Sequence, residues 1–367
     1  MKKQIAVILS VVMLTGILIG CGGQISTPAD AAQDKLRIAL LVPGLLGDKS
    51  FFDAAASSIP LIENQLDAEA RIVEMGTDQT KWYPTFIDYS ELGYDLILTI
   101  SDTVNDTLIE IAEMFPNQKY FNIDSSMSFD IPDNVYVMVA KMGEMSFLAG
   151  LAAALKAEEL GYDTIGFIGG MDIPGINEFL IGYIDGAQNI NPDINVAYSY
   201  VGSFTDPSKG KENALILYTD IPVIYQAAGA SGLGVFDAAK EFTARGMPRF
   251  AIGVDSDQAM ELKDSDPDTA NLIITSAVKK IPEYTLDAVK KFVNGEIIFG
   301  MRNYVGLKEN GVAIAKNSFY EQLLSAEARA LLDELEQKLI VGEIDAINTI
   351  NMPMDEVERI RTSVRPK

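Results

Sequence analysis

Acidic residues, a lysine and several phenylalanines recur in this chain where short apolar runs stop. The run 250–254, Phe-Ala-Ile-Gly-Val, gives way to Asp255-Ser256-Asp257, and the run 272–275 leads to Ala277-Val278-Lys279-Lys280. The first such run leads to Gly47-Asp48-Lys49-Ser50-Phe51-Phe52-Asp53. Others lead to Ser101-Asp102, Asp124-Ser125-Ser126, Gly202-Ser203-Phe204 and Ala228-Gly229-Ala230. Carboxylates accept hydrogen bonds from vicinal hydroxyls or ring N–H groups, and a lysine beside them donates to a hydroxyl while keeping them ionised. Phenylalanine faces can stack a planar ring. The set suits a neutral ligand with a sugar and an aromatic ring. Each residue alone also has a structural use. Asp48, Asp53, Asp102 and Asp255 could all cap helices, and one of Phe51 and Phe52 is expected in the core.

These residues can meet only if the apolar runs are strands whose carboxyl ends face one crevice. Runs at 36–42, 71–75, 96–100 and 120–123 alternate with segments of helical spacing such as 105–114. An extended piece at 135–139 then leads into the Ala-rich stretch 145–156, and the rhythm resumes at 164–168, 196–201, 223–226, 250–254 and 272–275. Alternation of this kind implies an α/β fold with parallel sheets. An eight-stranded barrel is the rival. Nine strands interrupted after the fourth favour two doubly wound, Rossmann-like lobes joined by a hinge. The expected boundaries are 36–140 with about 280–296 for the N-terminal lobe and 141–279 with about 297–345 for the C-terminal lobe. The tail 346–367 is left unplaced.

Composition narrows the function. A length of 367 residues with 48% hydrophobic and 22% charged content describes a folded protein of about two domains. A net charge of −23 excludes nucleic acid as the partner, since a phosphate backbone calls for a basic face. The chain has no histidine, so the usual general base and commonest metal ligand are missing. No nucleophile–base–oxyanion constellation or metal cluster is legible, and neither an enzyme nor a cofactor is expected. The glycines from Gly229 to Gly234 lack the Lys-Ser/Thr of a triphosphate loop, so close backbone approach to a ligand or tight packing is the better reading. Trp82, the single tryptophan, could be surface packing or a lid.

The N-terminus carries an address. Met1-Lys2-Lys3-Gln4 precedes an almost unbroken apolar run, 5–19, which fits a signal peptide over residues 1–20 rather than a membrane span. Leu18-Ile19-Gly20-Cys21 resembles the bacterial lipobox, which implies cleavage before Cys21 and lipidation of that residue. Cys21 is the only cysteine, so an internal disulfide is excluded. Residues 21–35 read as a flexible tether to the extracytoplasmic face of the cell membrane.

Several segments in order carry a family resemblance: Asp48-Lys49-Ser50-Phe51, Phe147-Leu148-Ala149-Gly150, Ile165-Gly166-Phe167-Ile168-Gly169-Gly170, Gly202-Ser203-Phe204 with Asp206, Ile252-Gly253-Val254-Asp255-Ser256-Asp257-Gln258, and Thr275-Ser276-Ala277-Val278-Lys279. From about residue 36 to 314 the chain resembles the basic membrane protein family of substrate-binding lipoproteins, which includes the purine nucleoside receptor. The resemblance implies a type I periplasmic binding protein fold and delivery of a nucleoside, of the purine class, to the permease and ATPase of an ABC importer. It also implies stacking of the base by Phe51 and Phe204, and polar contacts from Asp48, Ser50 and Asp124. Asp255 and Lys279 would bind the ribose, and Gly229 would allow close backbone approach. Phe52 stands where the family motif usually has asparagine, which exchanges hydrogen bonds for apolar contact at the ligand. Ser101-Asp102 and Asp220-Ile221-Pro222 also depart from the pattern. Another small ring-bearing ligand, a surface sensor and a nucleoside hydrolase are the alternatives.

Overall fold

The computed structural model describes residues 35–125, 130–349 and 352–366. The leader, Cys21, residues 21–34 of the tether and Ser126 lie outside the described residues. From residue 36 onward the chain forms one compact unit containing two six-stranded sheets. The strands are β1 Leu36–Val42, β2 Ala68–Glu74, β3 Leu96–Ile100, β4 Tyr120–Ile123, β5 Val135–Ala140, β6 Thr164–Gly169, β7 Asn195–Tyr200, β8 Val223–Ala227, β9 Phe250–Asp255, β10 Ile273–Lys279, β11 Met301–Val305 and β12 Val312–Ile314. The first sheet has the order β11-β5-β4-β3-β1-β2 and is wholly parallel. The second, β12-β10-β9-β8-β6-β7, is parallel except for β12. The expected doubly wound lobes are both present, each with helices on its sheet.

Near-continuous apolar sequence explains the buried strands. Ile38 to Val42, Leu96 to Leu98 and Val223 to Tyr225 are fully buried, as parallel strands covered on both faces must be. Three expectations need correction. Residues 135–139 are a full strand rather than a connection, because β5 pairs with both β4 and β11. The pairing of β11 with β5 moves residues 301–305 from the C-terminal lobe to the first sheet. The strand expected at 272–275 runs on as β10 to Lys279, so Lys279 ends a strand instead of sitting in a loop.

The chain crosses between lobes after β5, again before the helix Ile281–Val293, and a third time between β11 and β12. The helix Ile281–Val293 packs on the helix Phe51–Gln65 of the first lobe. The unplaced tail docks on the second lobe. Its helix Met354–Ser363 packs on the helix Pro174–Ile190, the Val196 amide donates to Val364 O at 2.7 Å, and Arg361 Nη1 donates to Asp172 Oδ1 at 2.9 Å. Asp172 follows β6, so this strand end is committed to the tail.

One helix pair packs especially closely. The helices Met142–Glu159 and Pro174–Ile190 approach so closely that a Cβ on Gly186 would fall 1.9 Å from Phe147 O, and one on Gly150 would fall 2.1 Å from Tyr183 O. Glycine at these positions lets the backbones touch. Glu178 and Phe179 lie on the second of these helices, where Glu178 accepts from the Gly143 amide and the Phe179 ring is 5.0 Å from the Lys279 ammonium. Among the described residues no helix is long and apolar enough to cross a membrane.

Candidate functional site

The two lobes offer matched strand ends. Asp124 leaves β4 with φ +63° and Asp255 ends β9 with φ +64°. Both occupy the left-handed region, which costs a non-glycine residue roughly 1–2 kcal/mol but is least unfavourable for Asp and Asn. The turn sends each carboxylate into the space between lobes instead of along its own helix. Asp255 therefore does not cap the following helix. Asp257 does so, accepting from the Met260 amide at 3.2 Å.

Both carboxylates converge on one ammonium. Lys279 Nζ lies 2.6 Å from Asp124 Oδ2 and 3.3 Å from Asp255 Oδ1, and the lysine is only 4% exposed. Ser50 Oγ donates to Asp255 Oδ2 at 2.8 Å and approaches Val254 O at 3.2 Å. Asp124 Oδ1 accepts from the Ala140 amide at 3.0 Å. Asp255 Oδ1 pairs with the ammonium and makes no other polar contact. The ammonium also lies 4.8 Å from the Phe51 ring centre and 5.0 Å from that of Phe179. Two further bonds clasp the lobes: Ser256 Oγ and Gln258 Nε2 both donate to Lys49 O, at 2.8 and 3.0 Å.

Burial and pairing pull the charges in opposite directions. Desolvation would lower the Lys279 pKa, but Asp124 and Asp255 outweigh it and hold the amine protonated. Asp255 is pushed up by desolvation, with Lys279 and Ser50 pulling it back. Glu178 is a third acid at this place. Burial raises it to about 7, while the Gly143 amide, donating at 3.1 Å, and Lys279 partly offset the rise. Asp124 and Asp255 thus pair with one ammonium, and Glu178 lies within its electrostatic influence. Among the described residues no group of acids could hold a metal ion.

Ser50, Phe51, Asp124, Asp255 and Lys279 are brought together around that ammonium. A cavity of about 660 Å3 opens beside them and is lined by Ser50, Asp255 and Lys279 together with Lys49, Ser256 and Pro282. Its size falls in the range of small-molecule sites. Asp48 serves elsewhere. Its oxygens accept from the amides of Ser50, Phe52 and Asp53 at 3.1, 2.9 and 3.1 Å, so its ligand role gives way to capping the helix Phe51–Gln65. Burial pushes Asp48 up to about 6, against the pull of those amides. The Phe52 ring fills the side-chain space of Gly44, where a Cβ would fall 2.4 Å from Phe52 Cε2. Phe204 is half-buried on the second lobe, against Gly170 and beside Gly229, which adopts φ +55°. Trp82 is buried, donating to Gly76 O at 2.8 Å, which makes it a packing residue rather than a lid.

Glu178, Phe179 and Gln258 were not expected at the site. An acid at 178 within the apolar helical run around Ile176, Phe179, Leu180 and Ile181 was the available signal, since a charge on a buried helix face needs a partner.

A family model described as ABC transporter substrate-binding protein PnrA-like matches residues 35–348. The chain belongs to this family. Basic membrane protein A of Borreliella burgdorferi is 30% identical over 346 residues, covering 92% of this chain and 94% of that one. The ABC transporter nucleoside-binding protein BmpA of Lactococcus lactis subsp. cremoris is 29% identical over 353 residues, covering 93% and 99%. The crystal structure of an ABC transporter solute-binding protein from Aeropyrum pernix aligns with a TM-score of 0.75 at 27% identity, covering 90% of this chain and all of that one. The PnrA-like family is one of substrate-binding proteins of ABC transporters, not of enzymes, and the two lobes have the fold of type I periplasmic binding proteins.

Proposed function

We propose that this PnrA-like protein captures a nucleoside between its lobes and presents it to an ABC importer while tethered to the membrane through lipidated Cys21. The observation that carries the reading is the Lys279 ammonium held between Asp124 of one lobe and Asp255 of the other. A ribose diol is matched to that arrangement: its hydroxyls can donate to Asp255 and accept from Lys279, while an anionic group would meet the surrounding carboxyl groups. Phe51 and Phe204 serve as stacking faces for the base, and Gly229 lets backbone come close. Ser50 fastens Asp255 in place.

Closure follows from the same contacts. The bonds from Ser50, Ser256 and Gln258 across the lobe boundary hold the closed form, and the three chain crossings act as the hinge. The relative named as nucleoside-binding supports the ligand class. Phe52, packed on Gly44, supplies apolar surface where an amide would supply hydrogen bonds, and this favours a ligand whose edge there needs no polar partner. Native mass spectrometry of protein purified without added ligand tests the reading. A bound mass equal to a nucleoside supports it; a different bound small molecule replaces the ligand class; free base released from added nucleoside would indicate a hydrolase.

A further inference from the structure

We infer that Arg361, in the C-terminal tail, is a positioning residue of the interlobe site: without touching the ligand, it fixes from behind the two segments of the second lobe that carry Phe179 and Phe204. The inference rests on the nucleoside reading and adds to it a residue beyond the matched family region, which ends at residue 348. The Arg361 side chain is only 12% exposed, in a helix, Met354–Ser363, that is otherwise mostly exposed. Its Nη1 lies 2.9 Å from Asp172 Oδ1, 3.3 Å from the Tyr200 hydroxyl and 3.4 Å from Asn177 Oδ1. Those three groups also hold one another. Asn177 Nδ2 donates to Asp172 Oδ1 at 2.9 Å, and the Tyr200 hydroxyl donates to Asn177 Oδ1. One guanidinium therefore clamps the loop after β6, the first turn of the helix Pro174–Ile190 and the end of β7.

The clamp leads to the site along two short routes. Asn177, itself buried, directly precedes Glu178, which accepts from the Gly143 amide, and Phe179, whose ring centre lies 5.0 Å from the Lys279 ammonium. Tyr200 ends β7, and the residues after it carry Phe204. Gly170 binds that loop to the end of β6: its carbonyl accepts from the Gly202 and Ser203 amides at 2.8 and 3.1 Å, and a Cβ on Gly170 would fall 2.3 Å from Phe204 Cδ1. Side chains that contact a ligand keep their geometry only when hydrogen bonds and packing lock the shell behind them. A guanidinium suits that task, because its rigid fork of donors serves several acceptors at once. Arg365 supplies the contrast. On the same tail its guanidinium lies over the Tyr198 ring, 4.5 Å from the centre, and makes no hydrogen bond to Asp172, Asn177 or Tyr200.

Arg361→Met removes the guanidinium and keeps an apolar stem. Calorimetric titration with inosine, adenosine and guanosine should show this variant binding about tenfold more weakly than the wild type while still melting cooperatively. Arg365→Met should keep wild-type affinity. Tyr200→Phe opens the same cluster from its other side without altering the tail, and it should weaken binding in the same sense; it decides alone if Arg361→Met does not fold. In double cycles with Phe179→Leu and Phe204→Leu, the Arg361→Met loss should shrink in at least one background, the mark of an effect passed through that ring. Wild-type affinity in folded Arg361→Met or in Tyr200→Phe, an equal loss in Arg365→Met, or additive losses in both cycles overturns the assignment of Arg361 and leaves the nucleoside reading intact. A wild-type protein that binds none of the three nucleosides overturns both.

Discussion

The Lys279 ammonium and the Asp124 carboxylate lie 2.6 Å apart across the boundary between the two lobes, and both groups are buried. A pair buried this deeply needs its remaining valences satisfied, and here Ala140, Asp255 and the rings of Phe51 and Phe179 complete the surroundings. The contact joins the ends of β4 and β10, so it forms only when the lobes are together. It links binding chemistry to closure.

Removing the cation tests that link. Lys279→Met leaves Asp124 and Asp255 facing each other without a counter-charge, and it should lower stability by about 3–5 kcal/mol at neutral pH. Urea unfolding at pH 7 measures this. The double variant Asp124→Asn, Lys279→Met should recover a good part of the loss, since only one of the two carboxylates then remains. Additive effects of the two substitutions would show that the pair is not coupled.

Glu178 should make stability fall with rising pH. Its folded pKa of about 7 lies above the ordinary value of 4.5, so its contribution is fully present below pH 4.5 and is lost as pH rises through 7. Glu178→Gln mimics the neutral acid at every pH and keeps the acceptor for the Gly143 amide. The variant should match the wild type near pH 4.5 and exceed it by up to about 3 kcal/mol at pH 8.5, the equivalent of the shift. Asp124 and Lys279 are the charged groups acting on Glu178, the first raising its pKa and the second lowering it. Melting curves at the two pH values check the expectation, and a pH-independent difference would refute it.

Asp48 and Ser50 separate capping from binding. Asp48→Ala removes the acceptor for three amides at the start of the helix Phe51–Gln65 and should cost about 1–2 kcal/mol of stability with ligand affinity nearly unchanged. A large loss of affinity at full stability would return Asp48 to the ligand.

Ser50→Ala should do the opposite. It removes a hydrogen bond to a charged acceptor, worth about 1.5–3 kcal/mol, from the interlobe clasp. Stopped-flow measurement should show faster ligand release with little change in capture rate, because the bond forms as the lobes close. An unchanged release rate would remove Ser50 from the clasp.

The strand rhythm was legible because parallel strands buried on both faces read as continuous apolar runs, as in β1, β3 and β8. β5 and β11 were harder to place. Met301-Arg302-Asn303-Tyr304-Val305 is an edge strand with exposed positions, so its sequence carries little of that signal, and β5 reveals its place only through its neighbours β4 and β11. At the site, Asp255 and Lys279 stood out as polar residues ending apolar runs. The capping role of Asp48 was equally compatible with its sequence context, and only the positions of the Ser50, Phe52 and Asp53 amides decide it. Glu178 comes from a helix whose buried face is set by glycine-mediated helix contact, which is not a local property of sequence.

The central claim is that residues from both lobes enclose one nucleoside at Asp255 and Lys279. Calorimetric titration of the wild-type protein and Asp255→Ala with inosine, adenosine and guanosine tests it most directly. Saturable one-to-one binding by the wild type, lost in an Asp255→Ala protein that still melts cooperatively, is the expected result. Undiminished affinity in Asp255→Ala, or no binding of any nucleoside by the wild type, would contradict it.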